Sequence, residues 1–171
     1  MNEIKTERLT VRPVREDDWK AVQRIWLDER DSPFGRYDNP KDTGDAAVME
    51  AVGQWSRADG KAHLCFAVCL DGDMIGYVCF HSREDGYEMS YGFLAAFQGK
   101  GYARESIGEL VAYARSLGAA RIGVGTALDN TPSVNLMKAL GFELVHTEKM
   151  SFYKDNEGND IFFTLGVFML A

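Results

Sequence analysis

Residues 87–118, YEMSYGFLAAFQGKGYARESIGELVAYARSLG, constrain the fold more than any other stretch of this chain. They read as an aromatic-rich strand, a loop with two glycines and a long amphipathic helix. Ile107, Leu110, Val111, Ala114 and Leu117 recur at helical spacing on one apolar face. A helix start leaves backbone N–H groups without partners, and Ser, Thr, Asp or Asn ordinarily caps them. None of these residues occurs from Leu94 to Ala103. Gly99 and Gly101 stand there instead, able to adopt positive φ and to let a ligand approach the backbone. Uncapped N–H groups at the positive end of a helix dipole suit an anion, most often phosphate. A glycine turn capped by water is the plain alternative. Arg121–Ala127 is the next strand, and the strand–helix–strand unit supplies the crossover that a parallel pair requires.

The rest of the chain supplies antiparallel strands and three more helices. Arg8 to Val14 alternates as a strand, and a helix follows from Asp17 and Asp18 to about Arg30, with Trp19, Val22, Ile25 and Trp26 as its stripe. Residues 31–44 read as a loop, and Asp45 to Ala58 returns to helical spacing. His63–Leu70 and Met74–Ser82 form a hairpin across Asp71-Gly72-Asp73, and Asp85-Gly86 turns into the strand Tyr87–Leu94. Gly118 suits the end of the central helix. Thr131 reads as the N-cap of the next helix, with Pro132 at its first position and Gly141 at its end. Phe142–Tyr153 and Ile161–Leu170 close the chain as a hairpin.

At 171 residues the chain suits one domain, 1–171, with a sizeable core. Apolar residues at 46% and charged residues at 26% mark an ordinary soluble globular class. No apolar run reaches the length of a membrane span and MNEIKTERL has no apolar targeting core, so neither membrane nor secretion is expected and a cytoplasmic location follows. The net charge of −7 argues against nucleic acid as a partner and mildly favours a cationic substrate. Cys65, Cys69 and Cys79 include no Cys-x-x-Cys pair and read as buried free thiols. With His63, His81 and His146 they offer no convincing ligand set, so no metal is expected.

Spacing excludes two phosphate loops. Lys100 is followed by Gly101 and has no glycine five residues before it, which excludes the P-loop, and Arg104 stands where a dinucleotide fingerprint needs its third glycine. Gln98-x-x-Gly101-x-Ala103, between a strand and a helix, resembles the pyrophosphate loop of the GCN5-related N-acetyltransferases, the GNAT superfamily. Asn130-x-x-Ser133 followed by Leu140-Gly141-Phe142 resembles the second motif of that superfamily. The opening Thr6-Glu7-Arg8-Leu9-Thr10-Val11-Arg12-Pro13 resembles its ribosomal-protein N-acetyltransferase, or RimJ/RimL-type, branch. With these three matches the resemblance covers nearly the whole chain.

The resemblance implies an α/β fold: a single mixed, mostly antiparallel sheet of about seven strands, helices on both faces and a central β-α-β unit for acetyl-CoA. It implies acetyl transfer from acetyl-CoA to a primary amine, either a protein N-terminus or a small molecule, by direct attack and without a metal. A homodimer is compatible with it. Gln98, Gly99, Lys100, Gly101, Tyr102, Ala103 and Arg104 would hold the cosubstrate's phosphates. Asn130 and Ser133 would face its pantetheine arm, and the backbone of Phe93, Leu94 and Ala95 would meet the thioester. Glu88, where related enzymes carry a glutamate, becomes the candidate base, sharing a strand face with Ser90 and Gly92. The family's usual tyrosine four residues before the helix-ending glycine is Met137 here, so the proton donor passes to Ser133, with Tyr153 as a more distant candidate. Phe34, Arg36 and Tyr37, in the loop that flanks the acceptor site in such folds, are candidate substrate contacts.

Two other readings compete. Met137 in place of tyrosine favours a CoA-binding module that no longer turns over. Cys79 and His81, two apart on one strand face, would instead carry a covalent acetyl-enzyme, though no carboxylate is evident to orient the pair.

Overall fold

The computed structural model describes residues 3–57 and 63–171. In chain order these form β1 (Ile4–Lys5), β2 (Thr10–Pro13), α1 (Trp19–Asp31), α2 (Asp45–Ser56), β3 (His63–Leu70), β4 (Asp73–Arg83) and β5 (Gly86–Phe93). There follow α3 (Tyr102–Ser116), β6 (Arg121–Ala127), α4 (Thr131–Ala139), β7 (Glu143–Lys154) and β8 (Asp160–Leu170). The expected end of the second helix, Ala58, lies outside the described residues.

One sheet of eight strands runs in the order β1-β2-β3-β4-β5-β6-β8-β7. The strand beyond the expected seven is β1, a two-residue edge piece pairing Ile4 with Val11 and too short for alternation to reveal. All neighbours are antiparallel except β5 and β6, which are parallel as the strand–helix–strand unit requires. The β3–β4 turn holds Asp71 at φ 51° and Gly72 at φ 93°, the left-handed pair that a tight hairpin favours.

Helices cover both faces. On one face α3 and α4 bury Ile107, Leu110, Ala114 and Met137 against Phe66, Phe80, Ile122 and Phe168. On the other, α1 and α2 bury Val22, Ile25, Trp26, Val48 and Val52 against Ala67, Tyr77 and the cysteines. Fully burying one such side chain contributes about 1.5–3 kcal/mol, so both faces are needed to hold the sheet flat against its helices. Leu117, expected on the apolar face of α3, is 46% exposed. The helix has ended by then: Leu117 is the C-cap and Gly118, at φ 93°, turns the chain away from the core.

The cysteines depart from expectation. Cys65 and Cys79 are directly opposed on β3 and β4, with Cα atoms 4.1 Å apart, and are joined as a disulfide. Only Cys69 is a buried free thiol. Cross-strand register, which spacing along the chain does not encode, brings the two sulfurs together.

Candidate active site where two strands part

The start of α3 is as bare as its sequence. Gly101 is the N-cap at φ 85°, Gly99 lies at φ 72°, and no side chain caps the first turn. The positive φ at 101 turns the chain so that the first N–H groups of α3 face outward, a conformation any other residue adopts only with strain. Gln98 does not face this opening: its Nε2 donates to the Phe93 carbonyl at 2.9 Å and ties the loop to the end of β5. Lys100 lies with Nζ 5.4 Å from the Phe97 ring centroid. Arg104 is exposed, and Tyr102 and Ala103 are half-buried.

A residue not singled out as a site member from the sequence holds this loop in shape. Arg8 donates from Nη1 to the Lys100 carbonyl at 3.0 Å, pairs with Glu105 at 2.8 Å and lies 4.6 Å over the Tyr102 ring. Thr6 Oγ1 also donates to Glu105. Burial pulls the Glu105 carboxyl up, but the hydrogen bonds from Thr6 and Arg8 outweigh it and hold the group below its ordinary range. The signal was present in Thr6-Glu7-Arg8-Leu9. What it lacked was a partner, because Glu105 lies far along the chain.

The opening itself lies between β5 and β6. Their register runs from Gly86–Arg121 only to Glu88–Gly123, and beyond that the strands part. Leu94 N donates to the Ile75 carbonyl at 2.9 Å, toward β4, so by alternation Phe93 and Tyr91 direct their backbone groups into the gap. The Phe93 carbonyl is taken by Gln98, which leaves its N–H facing the gap. Ala95 N, by contrast, donates to Asp28 Oδ2 at 2.9 Å.

Side chains pack on both faces of this end of β5. On the α4 side, the Tyr91 hydroxyl and Ser133 Oγ lie 2.6 Å apart in a hydrogen bond. Burial pushes the Tyr91 phenol above its ordinary value, keeping it a neutral O–H, while the bond to Ser133 works the other way. Tyr91 went unnoticed in the sequence because one more aromatic in an aromatic strand reads as core. Thr131 is not the N-cap of α4: Asn130 is, its side chain accepting from Ser133 N at 3.2 Å. An asparagine outranks threonine in that role, and its position leaves Pro132 in the first turn, where a missing N–H does no harm. Met137 lies in the core, fully buried.

On the other face of β5, Gly92 packs against α1. A side chain there would run into Glu29 Oε1 and would meet the Tyr77 ring at 2.7 Å and Ile25 Cγ2 at 2.9 Å. Glu29 has 17% of its side chain exposed and accepts from Lys41 Nζ at 3.0 Å. Burial raises its carboxyl to about 7, against the opposing pull of Lys41. Its partner Lys41 lines a cavity of about 230 Å³ together with Trp26 and Arg30 of α1, Asp38 of the following loop and Tyr153 of β7.

The remaining candidates lie further out. Glu88, 52% exposed, is ion-paired with Arg83 and stands opposite His81 of β4. Phe34, Arg36 and Tyr37 form a single turn after α1. Tyr37 stacks on Phe163 of β8 with centroids 5.4 Å apart, and Arg36 lies 4.9 Å over the Tyr37 ring. Cys79 has its sulfur in the disulfide, so the Cys79–His81 pair offers no thiolate and the covalent reading is overturned. His81 instead contacts His63, Nδ1 to Nδ1, at 3.0 Å. Among the described residues no group of three or more His, Cys, Asp or Glu could hold a metal ion, and no helix is long and apolar enough to cross a membrane.

The sheet thus has one parallel pair that parts beside a bare helix N-terminus, and comparison with known proteins says which family has this arrangement. Residues 8–143 match the Acetyltransferase (GNAT) domain family, and the chain belongs to that family as an N-acetyltransferase. It is 28% identical over 176 residues to the uncharacterized N-acetyltransferase YnaD of Bacillus subtilis strain 168, covering 94% of each chain. Among solved structures it resembles RimL, a ribosomal L7/L12 alpha-N-protein acetyltransferase, with a TM-score of 0.80, 18% identity and 98% and 93% of the two chains covered. It also resembles a chimera of the spermidine N-acetyltransferase SpeG from Vibrio cholerae, with a TM-score of 0.76, 18% identity and 96% and 95% covered.

Proposed function

We propose that this protein moves an acetyl group from acetyl-CoA to a primary amine by direct attack within a ternary complex. The observation that carries this reading is the parting of β5 and β6 beyond Glu88–Gly123, beside the uncapped start of α3. Gly99 to Arg104 would hold the pyrophosphate through backbone N–H groups, with Lys100 and Arg104 supplying positive charge. Gln98 supports them from behind by fixing the loop to Phe93.

The Phe93 N–H is the donor for the thioester oxygen, which gains negative charge as the amine attacks. Leu94 and Ala95 support that strand end, since their own N–H groups already have partners. Asn130 holds the first turn of α4, and Ser133, bonded to Tyr91, supplies the proton that the departing thiolate takes up. The phenol of Tyr91 thus stands in for the tyrosine missing at Met137, which weakens the reading of a module that binds CoA without turnover. The resemblance gives the base to Glu88. Phe34, Arg36 and Tyr37 belong to the loop that would border the acceptor.

Acceptor identity follows from the relatives only as a choice between classes: one solved neighbour is named for a protein N-terminus and another for spermidine. The test is titration calorimetry with acetyl-CoA, followed by an acceptor screen of peptides beginning with Ala or Ser and of spermidine, read as released thiol. Micromolar binding and turnover of one acceptor class is the expected result. Absence of acetyl-CoA binding would refute the transferase reading.

A further inference from the structure

We propose that Glu29 is the group that receives the acceptor's proton, and that the cavity lined by its ion-pair partner Lys41 admits the amine. This rests on the transferase reading above and deepens it.

Four features bear on Glu29. Gly92, on the part of β5 that has separated from β6, has no side chain, and Glu29 Oε1 occupies the space that one would fill. The carboxylate therefore lies against the α1 face of β5, beyond the last residue that pairs with β6. Glu88 is four residues earlier on the same strand, about 13 Å away. Glu29 also already holds a primary ammonium: Lys41 Nζ bonds its Oε2 at 3.0 Å and is held from the far side by Asp38. The pocket thus has the chemistry to take an alkylammonium. Finally, Lys41 lines the cavity together with Trp26, Arg30 and Asp38, so the ammonium that Glu29 holds borders open space.

The groups that face Glu29 are Lys41 and Asp38 from the loop after α1 and Tyr77 from β4. Burial is the largest influence on its carboxyl and raises it to about 7, so it is a base of useful strength at neutral pH. In the reaction, one ammonium proton passes to the Glu29 carboxylate and the freed lone pair forms the N–C bond to the thioester carbonyl carbon. The C–S bond breaks with its electron pair on sulfur, and the thiolate takes a proton from the Ser133–Tyr91 pair. The second nitrogen proton, lost as the amide forms, restores that pair. Glu29 then releases its proton to solvent, so each turnover yields one amide, one thiol and one proton.

The experiment compares Glu29→Gln, Glu29→Asp, Gly92→Ala and Glu88→Gln with the full-length wild type. Acetyl-CoA affinity is measured by calorimetry, and kcat/KM from pH 5.5 to 9 with the acceptor the wild type prefers. The expected result is a wild-type profile with an acidic limb near pH 7. Glu29→Gln loses that limb and about 100-fold in kcat/KM while keeping wild-type acetyl-CoA affinity. Glu29→Asp keeps a limb at reduced rate, which a purely structural role would not preserve, and Gly92→Ala, which displaces the carboxylate, lowers kcat at unchanged acetyl-CoA affinity. Retention of the limb in a folded Glu29→Gln, or its loss in Glu88→Gln alone, overturns the assignment while leaving the transferase reading intact. A wild type that binds no acetyl-CoA overturns both.

Discussion

The Tyr91 hydroxyl and Ser133 Oγ share a 2.6 Å hydrogen bond that joins the open end of β5 to the first turn of α4. Glu29 reaches the same strand from the opposite face, against the neighbouring residue Gly92. Adjacent strand residues point to opposite faces, so one step along β5 places a carboxylate over one face and a hydroxyl pair over the other. An amine and a thiolate, which need opposite help, would thereby be served without sharing a group.

From that pairing, Tyr91→Phe and Ser133→Ala should each lower kcat by about 10- to 100-fold, with acetyl-CoA affinity within a few-fold of wild type. The double variant should lose little more than the worse single one, because either change breaks the same bond. Steady-state rates beside calorimetric Kd values check this. A strictly additive loss would mean that the two hydroxyls act separately.

Gly101→Glu should abolish measurable acetyl-CoA binding. The new side chain meets a φ of 85°, brings a negative charge to the helix N-terminus and lies beside Arg8, whose Nη2 would be 3.2 Å from its Cβ. Gly72→Ala is the matched control, since its φ of 93° imposes similar strain but nothing lies within 4 Å. It should cost about 1 kcal/mol of stability and leave Kd unchanged. Equal loss of binding in both variants would tie the effect to folding and not to the loop.

Arg8→Ala should raise the Kd for acetyl-CoA by roughly three- to tenfold and lower stability by about 1 kcal/mol. It removes the tether on the Lys100 carbonyl and the guanidinium on Glu105 Oε2, keeping only the residue's own backbone N–H on Oε1, and so leaves an unpaired carboxylate near the helix end where the phosphates would bind. Adding Glu105→Gln should recover part of the affinity by removing the stranded charge. Calorimetry on the single and double variants decides it. If the double variant binds more weakly still, the tether and not the charge matters.

Local patterns made the scaffold legible, and long-range contacts hid much of the site. The bare entry to α3 could be read because capping is a matter of a few consecutive residues, and the β5–β6 crossover because a parallel pair needs a helix between its strands. The β3–β4 hairpin announced itself through Asp71-Gly72-Asp73, yet the disulfide it creates depends on which residues face each other across it. Arg8, Tyr91 and Glu29 were missed for a common reason. Each takes its role from a partner distant in sequence: Glu105, Ser133 and Gly92. On its own, Glu29 is one acid in a charged stretch at the end of α1. Asn130 was assigned to the cosubstrate side while Thr131 was read as the cap, because both are capping residues and one position separates them.

The raised carboxyl of Glu29 also makes a prediction about stability, with a definite sign. Burial lifts it from an ordinary 4.5 to about 7, so the folded protein holds this proton more tightly than the unfolded chain does. Folding is therefore favoured by this group at low pH, and the advantage is lost as pH rises from about 4.5 to about 7. The ceiling is about 3 kcal/mol, and the Lys41 ion pair, which stabilises the charged form, acts within the raised value and not in addition to it. Asp18 and Glu105 are shifted the opposite way, below their ordinary values, and so act only at more acidic pH. Denaturant midpoints of wild type and Glu29→Gln at pH 5 and pH 8 isolate the effect, since every other group cancels in the difference. Wild type should lose stability relative to Glu29→Gln between those two values. A gap that stays constant would mean that Glu29 titrates near its ordinary value, and Lys41 would then hold a permanently charged carboxylate in place of a base poised at neutral pH.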